Sequence, residues 1–430
     1  MAYKGTKCST SKVEALSSRP QSFILEVPNE ILHHFANFLP TDRDVINLSR
    51  SCREMHSRIL GPSTGIWRSR FEANYDLPTE KCMEELAYEY KTRAVVLSHR
   101  MDFHGRKTNL KEQTWLDVIH TMLIESLTLP LQSSGPKTYN RLREVMAQTN
   151  FLSRPKKQRS CELTCAVQLC LTALALHREV SEPCPRNEYE LAIAYSFGGE
   201  LKGPYITHNN LDLTKLLHVR SFWQRHLLDP EEMTFYLTFK DLPEDHKPKM
   251  RKGYGAIESD LSSSWIGYYS CLHPMPETRT QLNKNVVQTC ADIASQLLDI
   301  LSLDLQMTGD GFWPVECNAL IPMSEDSDVH RVFFQGSQGY YGQASDLNPV
   351  FGFKEDISFP YGGIAGWARI CFAIIAMGQD INSSDWVHGY EAILLPGGRV
   401  MMGRWLDLKD PSGRGPFIFW DVETSFYLHD

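Results

Sequence analysis

The sequence predicts a multidomain protein of the α plus α+β class, helical up to about residue 185 and mainly antiparallel β from there to its end. Three observations carry that reading. Only five of the 27 glycines precede Ser196 and seven of the nine tryptophans follow it, so turn residues and strand-forming aromatics concentrate in the second half. Before that point apolar residues recur at helical spacing. Near the far end, Tyr390 to Trp405 has two strand-like arms around Pro396-Gly397-Gly398, the turn chemistry of a hairpin.

A chain of 430 residues allows two or three domains at roughly 100–200 residues each. A hydrophobic content of 42% with 22% charge is that of an ordinary globular protein. The net charge of -8 and pI near 6.0 oppose a broadly phosphate-binding surface, which argues against nucleic acid as a partner. The N-terminus has no apolar secretory stretch and the eleven cysteines stand mostly alone, so an intracellular, reducing setting (cytoplasm or nucleus) with free thiols is expected. The apolar run Ile370 to Met377 falls far short of the ~20 residues that cross a bilayer, so no membrane partner is expected.

In chain order, residues 1–20 are rich in Ser, Thr and Lys and read as a mobile tail. A first domain spans 21–76, a helical linker region 77–185, and a β-rich recognition domain 186–430. In the linker region, Ala87, Tyr90, Ala94 and Leu97 share a helical face, as do Trp115, Ile119, Met122 and Leu123, and Ala166 to Leu176 reads as a buried helix. Tyr189 to Tyr195 alternates as a strand does, and Leu213 to Leu228 reads as one amphipathic helix.

The first domain is the most informative. Pro28 suits a first helical position, and Glu30 falls in the positively polarised first turn. Thr41 with Asp44 makes a capping box for a second helix carrying Val45, Leu48 and Cys52. Met55 and Ile59 continue into a third; Gly61, Pro62 and Gly65 then break the chain before Trp67 and Phe71. On the first helix, Ile31, Leu32, Phe35, Ala36, Phe38 and Leu39 cover an arc of roughly 160°, wider than the ~100° stripe of one packing face. A unit of that size has two apolar surfaces to cover and too little of its own chain to cover both.

Taken together, Val27-Pro28-x-Glu30-Ile31-Leu32, Phe38-Leu39, Asp44-Val45-Ile46-x-Leu48-Ser49-x-Ser51-Cys52-Arg53 and Trp67-Arg68 resemble the F-box motif over roughly Phe23 to Phe71, with Val-Pro in place of the usual Leu-Pro and a longer loop before the Trp. The resemblance implies a three-helix F-box that docks a Skp-family adaptor and, through it, the cullin scaffold of an SCF-type ubiquitin ligase. Carried over residue by residue, it assigns the adaptor contact to Val27, Pro28, Glu30, Ile31, Leu32, Leu39, Val45, Leu48 and Trp67. The bland alternative is three amphipathic helices packed on their own chain.

Further phrases, Trp265 to Pro274, Asp310 to Glu316, Gly389 to Trp405 and Gly415 to Trp420, look like those of fungal F-box proteins. A weaker similarity is to the calycin-type barrel, which a Trp-x-Gly-x-Tyr strand such as Trp265 to Tyr269 opens. What the resemblance implies is a non-catalytic substrate-recognition subunit whose protein target is unknown. Two alternatives are a small-molecule-binding barrel carrying an F-box and a Skp-bound protein acting outside the ligase.

Chemistry of the chain's own has little support. Cys161, Cys165 and Cys170 lack a second ligand pair at zinc spacing and read as buried thiols. His33 and His34 point about 100° apart on a helix. Hydrolase, metalloprotease and phosphate-loop motifs are missing, and Gly253-Tyr254-Gly255 lacks the third glycine of a dinucleotide turn, so no enzyme activity, cofactor or metal is expected. Asp310 and Glu316 read as turn or solvated acids ahead of a carboxylate pair. Arg154 to Arg159 reads as a solvated basic loop ahead of an import signal. Trp313, Phe333, Phe334, Phe351 and Phe353 read as strand core, with Tyr340 and Tyr341 the exposed exception.

Overall fold

The computed structural model describes residues 23–61, 64–78, 80–103, 109–129, 136–153, 161–195, 206–207, 210–232, 234–250, 261, 263–271, 300–309, 311, 313–318, 330–343, 347–410 and 413–422. The tail at 1–20, the basic segment 154–159, Gly253, Gly255 and Asp310 lie outside them. The chain divides into two units, residues 1–73 with 79–92, and residues 74–78 with 93–430.

The first unit holds α1 (Phe23–Glu26), α2 (Asn29–Phe38), α3 (Asp42–Ser49), α4 (Arg53–Leu60), α5 (Ile66–Asn74) and most of α6 (Met83–Leu97). Pro28 stands one residue ahead of the expected place, as the N-cap of α2, with Leu32 N–H bonding its carbonyl at 3.1 Å. The capping box of α3 forms: Thr41 Oγ1 accepts from Asp44 N–H at 3.2 Å and Asp44 Oδ2 accepts from Thr41 N–H at 3.3 Å. The three expected helices are α2, α3 and α4; α1 and α5 add to them, and Trp67 rides on α5.

The second unit begins with helices and ends in a barrel. Its early helices are α7 (Leu110–Thr128), α8 (Lys137–Met146), α9 (Glu162–Cys170), α10 (Thr172–Ala175) and α11 (Leu191–Ala194). The expected strand at Tyr189 to Tyr195 is instead α11: Leu and Ala at its centre favour a helical turn, and Tyr189 and Tyr195 both set their rings edge-on against Phe222. After the short ribbon β1 (Ile206–Thr207) and β2 (Asn210–Leu211) come α12 (Leu213–Leu228) and α13 (Thr234–Lys240). The expected amphipathic helix thus runs over the predicted residues, but from Val219 onward it is buried on every side.

Eight strands then close on themselves: β3 (Ser264–Tyr269), β4 (Leu301–Thr308), β5 (Arg331–Tyr340), β6 (Asn348–Asp356), β7 (Ala368–Ile375), β8 (Val387–Leu394), β9 (Val400–Asp407) and β10 (Arg414–Asp421). All neighbours are antiparallel and successive in the chain, and β10 returns to pair with β3, Phe417 opposite Tyr269. The predicted hairpin is β8–β9; Gly397 and Gly398 adopt φ of 95° and 70° in its turn, a region other residues rarely enter. Gly403 lies so close to the next strand that a Cβ would sit 1.9 Å from the Glu391 carbonyl oxygen.

Inward-facing side chains of all eight strands form one apolar cluster, from Trp265 and Leu303 through Phe372 and Tyr390 to Phe417 and Phe419. Phe372 and Tyr390 stack at its centre, 4.5 Å apart and nearly parallel. On the outer face, buried Glu391 accepts from Arg369 at 2.9 Å and from Arg404 at 3.1 Å, so the charge is paired twice. Helices cover another stretch of the outer face. Trp223 of α12 stacks over Tyr268, Phe239 of α13 packs edge-on to Trp420, and Tyr268 and Thr238 hydroxyls bond at 3.1 Å. The two units part near residues 73–93, and α12 and α13, both inside the expected 186–430 domain, are the barrel's own cover.

Candidate docking surface

Within the first unit, α2 is placed by its inner face. Leu32 and Ala36 are buried there, as are Met55 and Ile59 of α4, Val45 of α3 and Ile66, Trp67 and Phe71 of α5. Each large side chain so buried contributes about 1.5–3 kcal/mol. Two arginines lock the ends. Arg58 donates to Asn29 Oδ1 at 2.6 Å, to the Leu25 carbonyl at 2.8 Å and to the Val27 carbonyl, holding the chain that enters α2. Arg70 donates to the Leu39 carbonyl at 2.7 Å and Asp42 Oδ1 at 2.9 Å, joining the end of α2 to the start of α3. Tyr90 of α6 donates to the same Asp42 carboxylate at 3.0 Å and stacks on Trp67, 5.8 Å between rings. Burial, with the Asp42 charge beside it, pushes the Tyr90 hydroxyl up to about 12, so it stays a donor.

Held that way, α2 turns its other face outward. Ile31, Phe35 and Phe38 are 58%, 53% and 74% exposed, and Phe23 of α1 is 85% exposed. Ile24 and Leu25 are bare as well. Spacing of i, i+4 and i+7 puts the three α2 residues in one stripe. Exposed large apolar side chains grouped on one element mark an interaction surface, since each left in water forgoes the gain of burial.

The nine residues assigned from the sequence divide by exposure. Pro28, Glu30 and Ile31 are exposed; Val27, Leu39 and Leu48 are half-buried. Leu32, Val45 and Trp67 are buried in the core of the unit, so they support the surface from beneath and do not face out. Phe23, Phe35 and Phe38 belong to the outward face and were missing from that set. Arg58 and Arg70 were missed as well, because nothing in their spacing signals that they bond carbonyls some thirty residues away.

Other candidates resolve into structure. Cys165 and Cys170 are buried and Cys161 is exposed, its Sγ 3.0 Å from Thr164 Oγ1. Burial drives the Cys170 thiol well above its ordinary value. Among the described residues no group of three or more His, Cys, Asp or Glu side chains is arranged to hold a metal ion. His33 bonds the Arg58 carbonyl at 2.8 Å and His34 packs edge-on against Phe38. Phe334 is barrel core, whereas Phe353 is buried on the outer face beside Cys371, with Trp313 edge-on to it at 5.0 Å. Tyr340 is exposed, whereas the Tyr341 hydroxyl bonds His246 Nδ1 at 2.6 Å. Glu316 is exposed on the one-turn helix Val315–Asn318. Among the described residues no helix is long and apolar enough to cross a membrane.

Comparison of the chain with protein-family models, with curated proteins and with solved structures returned no match.

Proposed function

We propose that the chain is an adaptor of the F-box type, a non-catalytic receptor that docks a Skp-family protein through its first unit and holds a target through the second. By this reading the Skp protein links it to a cullin-based ubiquitin ligase, and the gain is effective concentration of target near the transferring enzyme. The observation that carries the reading is the bare stripe of Ile31, Phe35 and Phe38 beside Pro28 and Phe23, on the helix where the F-box resemblance locates its partner contact. The rival reading, a calycin-like barrel with a small molecule in its lumen, is less favoured because apolar side chains from all eight strands meet inside it.

The test is co-purification of the full chain with a Skp-family adaptor. Wild-type protein is expected to bring the adaptor down, and Ile31→Asp with Phe35→Asp to reduce recovery at least about tenfold, with circular dichroism unchanged because both residues are exposed. Folded wild-type protein that recovers no Skp adaptor overturns the reading. Probing the same complex for cullin separates a ligase subunit from a Skp-bound protein acting elsewhere.

A further inference from the structure

Where the end of α10 meets α12 and α13, the second unit carries an open cleft of about 250 Å³. At roughly 30 Å³ per water this is room for about eight waters, or an aromatic ring with a short chain. Its wall is apolar: Leu176, Leu228, Tyr236 and Phe239 are all buried there.

Its mouth is cationic. Arg178, Lys240 and Lys247 line it together with the acids Glu179 and Glu244. Both acids are already engaged, Glu179 by Arg143 at 2.6 Å and Glu244 by Lys247. Arg178 donates to the Tyr236 hydroxyl at 2.7 Å, a neutral partner, and Lys240 makes no ion pair among the described residues. Among the described residues, two positive charges are thus left without carboxylates.

His177 adds a donor. Its Nε2 lies 3.5 Å from Arg143 Nη2, and a guanidinium only donates, so Nε2 accepts and the ring proton sits on Nδ1. That buried Nδ1–H has no acceptor among the described residues. Burial, with the Arg143 charge next, lowers the His177 pKa against the opposing carboxylates of Glu179 and Glu244, so the neutral ring is a single-proton donor. An orphan N–H, two unmatched cations and an apolar wall together ask for an acceptor-bearing anion on an apolar body.

We propose that this cleft binds an apolar carboxylate, its aromatic or branched body against Leu228, Tyr236 and Phe239 and its carboxylate held by Arg178, Lys240 and His177. The ligand is either a free organic acid or the carboxyl-terminal residue of a polypeptide. The proposal stands apart from the adaptor reading, because its residues belong to the second unit and loss of Skp docking leaves them untouched.

Titration of the full chain with 4-phenylbutyrate, followed by ligand-observed NMR and calorimetry, tests it. The acid is expected to bind saturably and its uncharged amide at least about tenfold more weakly; Arg178→Gln with Lys240→Glu is expected to weaken the acid about tenfold, with the unfolding midpoint unchanged. A parallel titration with acetyl-Gly-Gly-Phe bearing a free carboxyl terminus identifies the source, since the tighter of the two carboxylates marks it. Failure of both to bind the folded chain, or equal binding of acid and amide, overturns the proposal.

Discussion

Helices α2 and α12 both carry more apolar surface than one packing face requires, and they meet different fates. In α12 the surplus is consumed inside the unit: Phe222 meets Tyr189 and Tyr195 on one side, Trp223 meets Tyr268 and Phe235 on another, and the last half of the helix has no exposed residue. In α2 the inner face is satisfied by Leu32 and Ala36, and the opposite face stays wet. Apolar width alone therefore does not say whether a helix is a core element or a docking element. What decides is whether the rest of the chain supplies a second face, as the barrel wall does for α12.

That contrast can be broken most sharply at Trp223. It is fully buried between α13 and the barrel, so Trp223→Ala is expected to destabilise the second unit by about 3–5 kcal/mol, measured by denaturant unfolding. On α2 the neighbouring pair Leu32 and Ile31 makes the same comparison within one turn. Leu32→Ala is expected to cost about 2–5 kcal/mol, while Ile31→Ser is expected to stay within about 0.5 kcal/mol in the free chain. An Ile31→Ser loss as large as that of Leu32→Ala would show the outer face to be covered after all.

A smaller effect sharpens the α12 side through pH. Glu232, just beyond α12, accepts from Arg186 and Arg225 at 2.8 Å each and lies 3.3 Å from His226 Nδ1. Burial raises its pKa, but His226, Arg225 and Arg186 together outweigh it and bring the carboxyl down to about 2 from an ordinary 4.5. Because the folded value lies below the unfolded one, this stabilisation is complete above about pH 4.5 and is lost as pH falls toward 2. After allowance for solvent screening it amounts to about 1–2 kcal/mol. Glu232→Gln is expected to flatten that part of the stability–pH curve and leave the neutral-pH barrel intact by circular dichroism.

Legibility in the sequence followed the range of the interactions. The β8–β9 hairpin and the bounds of α12 were readable because a turn tripeptide and a helical period are local signals. The capping box of α3 was readable for the same reason. A barrel was expected only through the calycin-type similarity of Trp265 to Tyr269, and a closed barrel is found; local pattern could not give its closure, since Phe417 pairs with Tyr269 across almost 150 residues. Tyr189 to Tyr195 misled because its alternation fits a strand, whereas the rings of α12 hold it as a single helical turn. On α2 the helical period was readable, yet it could not say which flank faced inward. Leu32, Val45 and Trp67 proved to be supports, and Phe35 and Phe38 the exposed members.

Closure of the eight-stranded sheet limits how its strands can pair with an extended chain. With β10 bonded to β3, each barrel strand has a neighbour on both sides, and the row of free N–H and C=O groups that captures an extended peptide is not offered there. Under the adaptor reading, a target held by the barrel would meet side chains and connecting loops, where single-residue chemistry, not backbone pairing, sets the choice.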